Sequence, residues 1–252
     1  MELIVLGSNA MWAPAGGATA GFLIRHDGFS LWVDLGSGTL ANLQRHIGLQ
    51  DVGALIVSHR HPDHLVDLFP YLYARVYGSD DPPTGTPLYG PPDLFDKVRA
   101  LLSGAGADEL ATSFRVTDVA PGEDLRAGPF RIQTAGMAHP VSTLGLRVEA
   151  DGSALAYTAD TGPTEAIIDL ARDADLLVSE ASWHDDGAEY PPDLHLNARE
   201  AGEFADRASV RRLLLTHIKP TLDRDRSRTE AASAFDGEVM VATEGMVLEV
   251  KG

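Results

Sequence analysis

Between residues 59 and 64 the chain reads His59-Arg60-His61-Pro62-Asp63-His64, three imidazoles and a carboxylate in six positions. Neutral imidazole and carboxylate are the donors that borderline divalent metal ions prefer. His59 and His61 lie two apart, so an extended backbone puts both on one side. Pro62 then turns the chain, and the adjacent Asp63 and His64 point in different directions. That spacing favours two neighbouring ions over one crowded ion. The chain has no cysteine, so only His, Asp or Glu can hold a metal, and no disulfide is available.

The elements that must position these groups are apolar runs ending on an ionisable residue. Leu55-Ile56-Val57-Ser58 runs into His59, and Ser30-Leu31-Trp32-Val33 into Asp34. Ala154 to Ala159 runs into Asp160, Leu176-Leu177-Val178-Ser179 into Glu180, and Leu213-Leu214-Leu215-Thr216 into His217. Strand ends hold side chains rigidly, and five such endings predict one shared polar centre. Strands are also expected at 3–6, 21–25, 115–119, 130–134 and 144–149. Helices are expected at 40–47, 65–77, 94–102 after Pro91-Pro92-Asp93, 163–171, 197–208 behind an Asn197/Glu200 capping box, and 228–235. His26 to Phe29 reads as a hairpin turn, and 238–250 as a second hairpin centred on Glu244-Gly245. Residues 80–87 read as an acidic, Pro-rich connecting loop. Strands interleaved with helices predict a single α/β domain over 1–252, a four-layer αββα sandwich of two mixed sheets flanked by helices.

The pattern His59-x-His61-x-Asp63-His64 resembles the signature of the metallo-β-lactamase superfamily. Asp34, His139 in Ala138-His139-Pro140, Asp160 in Thr158-Ala159-Asp160, and His217 match its later motifs in order, over nearly the whole chain. The resemblance implies one metal on His59, His61 and His139, a second on Asp63, His64 and His217, and Asp160 bridging both. It implies zinc, with manganese or iron as alternatives, and two ions about 3.5–4 Å apart sharing a hydroxide. Asp34 would orient a histidine rather than bind metal, or would simply close a strand-end turn.

Ser179-Glu180-Ala181-Ser182 resembles the His-Glu-Ala-Thr segment of ribonuclease Z and related phosphodiesterases, with serines at both ends. His195 ahead of a capped helix resembles their histidine that contacts phosphate. The likeness implies that Glu180 orients His195 and that His195 protonates a leaving alkoxide. Together with Asp63 these are the expected catalytic residues.

The formal net charge is −17, a field that repels long polyanions. No basic arm of the kind that grips tRNA is present, so a small phosphodiester such as a cyclic nucleotide is the expected substrate. A tRNA 3′-processing endonuclease and a carboxylic ester, lactone or thioester hydrolase are the alternatives. No apolar run is long enough to cross a bilayer and no secretory leader is evident, so a cytoplasmic protein is expected. A homodimer through Tyr71, Tyr73, Val76 and Tyr77 is a further expectation; the same residues could serve the core. The Gly/Ala-rich loop from Asn9 to Ala20, with Met11-Trp12, either lines the site or faces solvent. Trp183 and His184 either stack on a base or pack.

Overall fold

The computed structural model describes residues 1–80, 83–92, 94–187 and 190–252. The first half of the chain builds one sheet from β1 (Glu2–Gly7), β2 (Gly21–His26), β3 (Phe29–Val33), β4 (Ala54–Ile56), β5 (Thr86–Gly90) and β6 (Phe114–Asp118). The second half builds another from β7 (Asp124–Ala127), β8 (Phe130–Gly136), β9 (Leu144–Ala150), β10 (Ser153–Tyr157), β11 (Leu176–Glu180), β12 (Arg212–Thr216) and β13 (Glu238–Val241). The last strand, β14 (Val247–Glu249), returns to the free edge of β1. The two orders, 14-1-2-3-4-5-6 and 7-8-9-10-11-12-13, repeat one scheme: three antiparallel pairings, then three parallel ones.

Side chains alternate along each strand, and the alternation sorts them into layers. Leu3, Val5, Leu31 and Val33 face the second sheet, where they meet Leu146, Val148, Leu155 and Val178 in the central core. Ile4, Leu6, Trp32 and Leu55 face the other way, against α1 (Thr39–Leu43), α2 (Pro62–Leu65), α3 (Leu68–Tyr77), α4 (Leu94–Leu101) and α5 (Gly104–Ser113). Trp32 is fully buried edge-on to Tyr71 of α3, an anchor of the kind that is worth about 3–5 kcal/mol against alanine. The outer face of the second sheet packs Ala156, Leu177 and Leu213 against α6 (Ala166–Ala171) and α7 (Ala198–Arg207), with α8 (Arg224–Ala232) beyond. The result is the αββα sandwich of two mixed seven-stranded sheets with helices outside.

Several local expectations hold. Asp27 and Gly28 take φ of 46° and 74°, the left-handed pair that closes the β2–β3 hairpin. Asn197 and Glu200 form the reciprocal capping box that opens α7. Others need correction. The stretch 238–250 is no hairpin: β13 pairs with β12 and β14 with β1, so the chain crosses between the sheets at Glu244, whose carboxylate accepts from Asn9 and the Ala18 N–H. The helix expected over 65–77 breaks between α2 and α3, Pro70 falling in the first turn of α3 where its missing N–H costs nothing. Helix α5, capped by Ser103, lies in a Gly/Ala-rich run that shows little period, and strand β5 takes up part of the expected loop at 80–87. Asp81 and Pro82 of that loop, and Asp93 of the helix-start signal, lie outside the described residues. Among the described residues no helix is long and apolar enough to cross a membrane.

Candidate metal centre

All five ionisable strand endings collect at one edge, where the carboxyl ends of the parallel strands of both sheets meet. Three of the turns there are made by non-glycine residues in the left-handed region: Asp34 after β3 (φ 56°), Ala159 after β10 (51°) and His217 after β12 (50°). Such conformations cost about 1 kcal/mol or more each, and they re-aim the chain abruptly inward at each strand end.

His59, His61, His139 and Asp160 form one cluster, and Asp63, His64 and His217 a second, with potential donor atoms in each within 4.8 Å of one another. Asp160 joins them. Its Oδ1 lies 3.2 Å from His64 Nε2 and 3.4 Å from His217 Nε2, while its Oδ2 lies 3.6 Å from His59 Nε2 and 4.0 Å from His139 Nε2. One carboxylate thus presents one oxygen to each cluster.

The surroundings fix the imidazole tautomers. His64 Nδ1–H donates to Asp34 Oδ2 at 2.8 Å, and His139 Nδ1–H to the Leu194 carbonyl at 2.9 Å. The Ser58 hydroxyl donates to Asp34, so its oxygen accepts from His59 Nδ1–H at 3.0 Å. The Ser182 hydroxyl donates to Glu180 Oε2, so its oxygen accepts from His217 Nδ1–H at 2.9 Å. Each arrangement turns an Nε2 lone pair toward the centre. There, His59 and His139 Nε2 each approach His61 Nδ1 to 3.1 Å, and His64 Nε2 lies 3.3 Å from His217 Nε2. Lone pairs that converge this closely repel unless a cation lies among them. Asp160 Oδ1 is buried and accepts no hydrogen bond. The residues therefore fit divalent cations.

Electrostatics agree. Burial lowers the proton affinity of His59, His61 and His139, which leaves them as neutral ligands. Burial alone would raise Asp63 and Asp160, but the neighbouring His217 and His64 hold both carboxyls below the usual carboxylate range. Burial also works against charged His64, yet Asp160 and Asp34 raise its proton affinity well above that of an ordinary imidazole. A proton on His64 would occupy the place a metal ion takes.

Asp34 is fully buried and accepts from Ser58 N–H, Ser58 Oγ–H, Tyr157 O–H and His64, so it orients a histidine. His195 stands beside the clusters, its ring 5.5 Å from His139 and 5.4 Å from His217, and a potential donor atom within 4.8 Å of those of Asp160 and His217. Its Nδ1–H donates to Glu180 Oε1 at 3.0 Å, and Glu180 also accepts from Thr161 N–H and Ser182. Burial lowers His195, but the Glu180 carboxylate outweighs it and leaves the imidazole above its ordinary value. The Asn9–Ala20 loop does line the site: Met11 N–H donates to Asp63 Oδ2 at 2.8 Å. His184 is buried, its Nε2 hydrogen-bonded to the Asp223 carbonyl and Ser227 Oγ at the start of α8, and packs rather than stacking on a ligand. Tyr71 belongs to the core, while Tyr73 and Tyr77 are exposed.

Sequence reasoning passed over Ser58, Tyr157, Ser182 and the Leu194 carbonyl as parts of the site. Ser58 and Tyr157 carried a usable signal, because each lies on or just beyond a strand whose end supplies a charged group. The carbonyl carried none.

A family model described as a beta-lactamase superfamily domain matches residues 17–218. A Mycobacterium tuberculosis protein described only as uncharacterized is 36% identical over 100% of this chain and 93% of its own length. YhfI of Bacillus subtilis, described as a probable metallo-hydrolase, is 32% identical over 99% of this chain and 100% of its own. Its crystal structure superposes with a TM-score of 0.88 over 98% of both chains. A ribonuclease Z of Halorubrum lacusprofundi is 28% identical over 99% of this chain and 97% of its own.

Proposed function

The chain belongs to the metallo-β-lactamase superfamily, and from that premise we propose that it is a phosphodiesterase acting on a small phosphodiester such as a cyclic nucleotide. The coarser class, a metallo-hydrolase with a His/Asp metal site, rests on the fold, the two clusters and the kinship with YhfI. His59, His61, His139 and Asp160 would hold one ion, and Asp63, His64, His217 and Asp160 the other. The imidazole-rich donor set suits zinc. When bound, the ions supply activated water and neutralise charge developing on the attacked group.

The observation that carries the phosphodiester reading is the Glu180–His195 pair at the edge of both clusters. Water attack on a carboxylic ester or lactone can proceed with the metals alone. An unactivated alkoxide leaving from phosphorus is a far poorer leaving group and gains from a placed acid. Glu180 accepts a hydrogen bond from His195 Nδ1–H, which fixes the ring with its other nitrogen free to carry a proton to the departing oxygen. The same carboxylate raises the proton affinity of His195 above that of an ordinary imidazole. Asp34 and Ser182 hold His64 and His217 still, so the ring nitrogens stay aimed while charge shifts. Met11 N–H does the same for Asp63.

Against a tRNA substrate stands the charge of −17. The alignment with the ribonuclease Z relative also spans 304 positions against a chain of 252 residues, so that relative carries insertions this chain lacks. The test is a panel on metal-replete protein: cyclic mononucleotides, a tRNA precursor, a lactone and a thioester. Turnover of a cyclic mononucleotide above the other three is expected. Turnover of the lactone or thioester with none of any phosphodiester overturns the reading.

A further inference from the structure

We propose that Lys219 is a binding residue for an anionic substrate group, an ammonium held beside His195 to meet a phosphoryl oxygen; this deepens the phosphodiester reading and rests on it. Lys219 follows His217 by two residues, and its backbone is not free to wander. Ile218 between them is fully buried, its N–H donating to the Ser8 carbonyl and its carbonyl accepting from Ala10 N–H. The side chain is held as well. Its Nζ lies 3.1 Å from the centre of the Trp183 ring. Tyr190 stacks on the same indole at 4.4 Å and 8°. A parallel ring fills its own side, so the ammonium takes the opposite face. Trp183 in turn lies 5.6 Å from the His195 ring.

Among the described residues the Lys219 ammonium forms no ion pair and no hydrogen bond, although the protein carries seventeen more formal negative charges than positive ones. Glu180, whose charge acts on it, is already committed to Thr161, Ser182 and His195. The indole N–H of Trp183 is buried and likewise lacks an acceptor. A half-buried cation held on the ring beside the proposed acid leaves an anionic acceptor as its missing partner. The net charge of −17 works against anions, so an attractive charge at the site has a clear use.

The test uses metal-loaded Lys219→Met, which keeps an apolar stem on the indole, and Lys219→Arg, which restores charge. Two readouts are taken, with metal content and melting temperature as checks on folding. The first is affinity for inorganic phosphate. The second is kcat and KM on a cyclic mononucleotide and on bis(p-nitrophenyl) phosphate, with p-nitrophenyl acetate as the neutral substrate. Lys219→Met should weaken phosphate about 10-fold and lower kcat/KM on both diesters by about 10²-fold, with the acetate ester within about twofold and Lys219→Arg recovering most of the loss. Unchanged phosphate affinity in Lys219→Met, or an equal loss on the acetate ester, overturns the assignment. A wild type that cleaves no phosphodiester rejects the phosphodiester reading instead, and phosphate affinity alone then decides Lys219. If Lys219→Met fails to fold, Lys219→Gln takes its place in the same comparison.

Discussion

Asp34 is the sharpest place to test whether the metal ligands are held from behind. It is fully buried, and four donors converge on it: Ser58 N–H at 2.7 Å on Oδ1, and Ser58 Oγ–H, Tyr157 O–H and His64 Nδ1–H at 2.8–2.9 Å on Oδ2. Alanine would leave at least three buried donors without an acceptor. At about 1–3 kcal/mol each, tempered by any water that enters, the expected loss is about 4 kcal/mol, or roughly 10 °C in melting temperature for a domain of this size. Asparagine is the finer probe, because it tolerates the left-handed backbone at this position (φ 56°). If its oxygen takes the place of Oδ2, its amide faces Ser58 N–H, donor against donor. The expected cost is about 2 kcal/mol, with His64 no longer anchored by a charge. Metal affinity should fall 10- to 100-fold, measured by competition with a chromogenic chelator on folded protein. An Asp34→Asn protein that folds and holds its metal within twofold of wild type would reduce Asp34 to a turn residue and refute the reasoning.

Three further outcomes follow from the same geometry. His195→Ala should slow cyclic mononucleotides by 10²-fold or more while sparing bis(p-nitrophenyl) phosphate, whose leaving group needs no acid; equal losses on both would remove His195 as the acid. Because Glu180 raises His195, the acid form persists to higher pH than an ordinary imidazole allows, and activity is lost as pH rises through the raised value. Glu180→Gln should therefore move the alkaline limb of kcat to lower pH, and an unmoved limb would count against the pairing. His64 carries a raised proton affinity, whereas His59, His61 and His139 are already neutral. Loading the metal-free protein with zinc near pH 7 should thus release a proton from His64 in addition to any lost by bound water, read from calorimetry in buffers of different ionisation enthalpy; no net release would contradict the hold of Asp160 and Asp34 on the His64 proton.

Much of the site was legible in the sequence because its chemistry sits at strand ends. A parallel strand buried on both faces reads as an uninterrupted apolar run, so a charged residue at its end stands out, as at Asp160, Glu180 and His217. The layer order followed from the same runs. What escaped was of two kinds. Groups that act through a backbone oxygen, such as the Leu194 carbonyl, have no distinctive residue type. Elements with weak period, such as α5 in a Gly/Ala run, owe their shape to tertiary packing rather than to propensity. The partition of β13 and β14 between the two sheets belongs to the second kind. A short strand cannot announce which edge it joins, and here Glu244 decides it by binding Asn9 and Ala18 across the gap.

One tension runs through the molecule, and the edge where the sheets meet resolves it. On the phosphodiester reading, a chain of net charge −17 has to admit an anion. Desolvating seven ionisable ligands at one point is unfavourable by itself, and the left-handed turns at Asp34, Ala159 and His217 add strain. Divalent cations offset both, since four positive charges enter a cluster in which burial keeps His59, His61 and His139 neutral and the neighbouring imidazoles keep Asp63 and Asp160 ionised. The centre is then locally cationic inside an acidic surface. Bulk polyanions are held off by the surface, while a small anion that reaches the rim meets the metals, His195 and Lys219 together. Selectivity for small phosphodiesters would thus come from the contrast between surface and centre, and it should weaken as salt screens the surface while leaving the buried centre largely untouched.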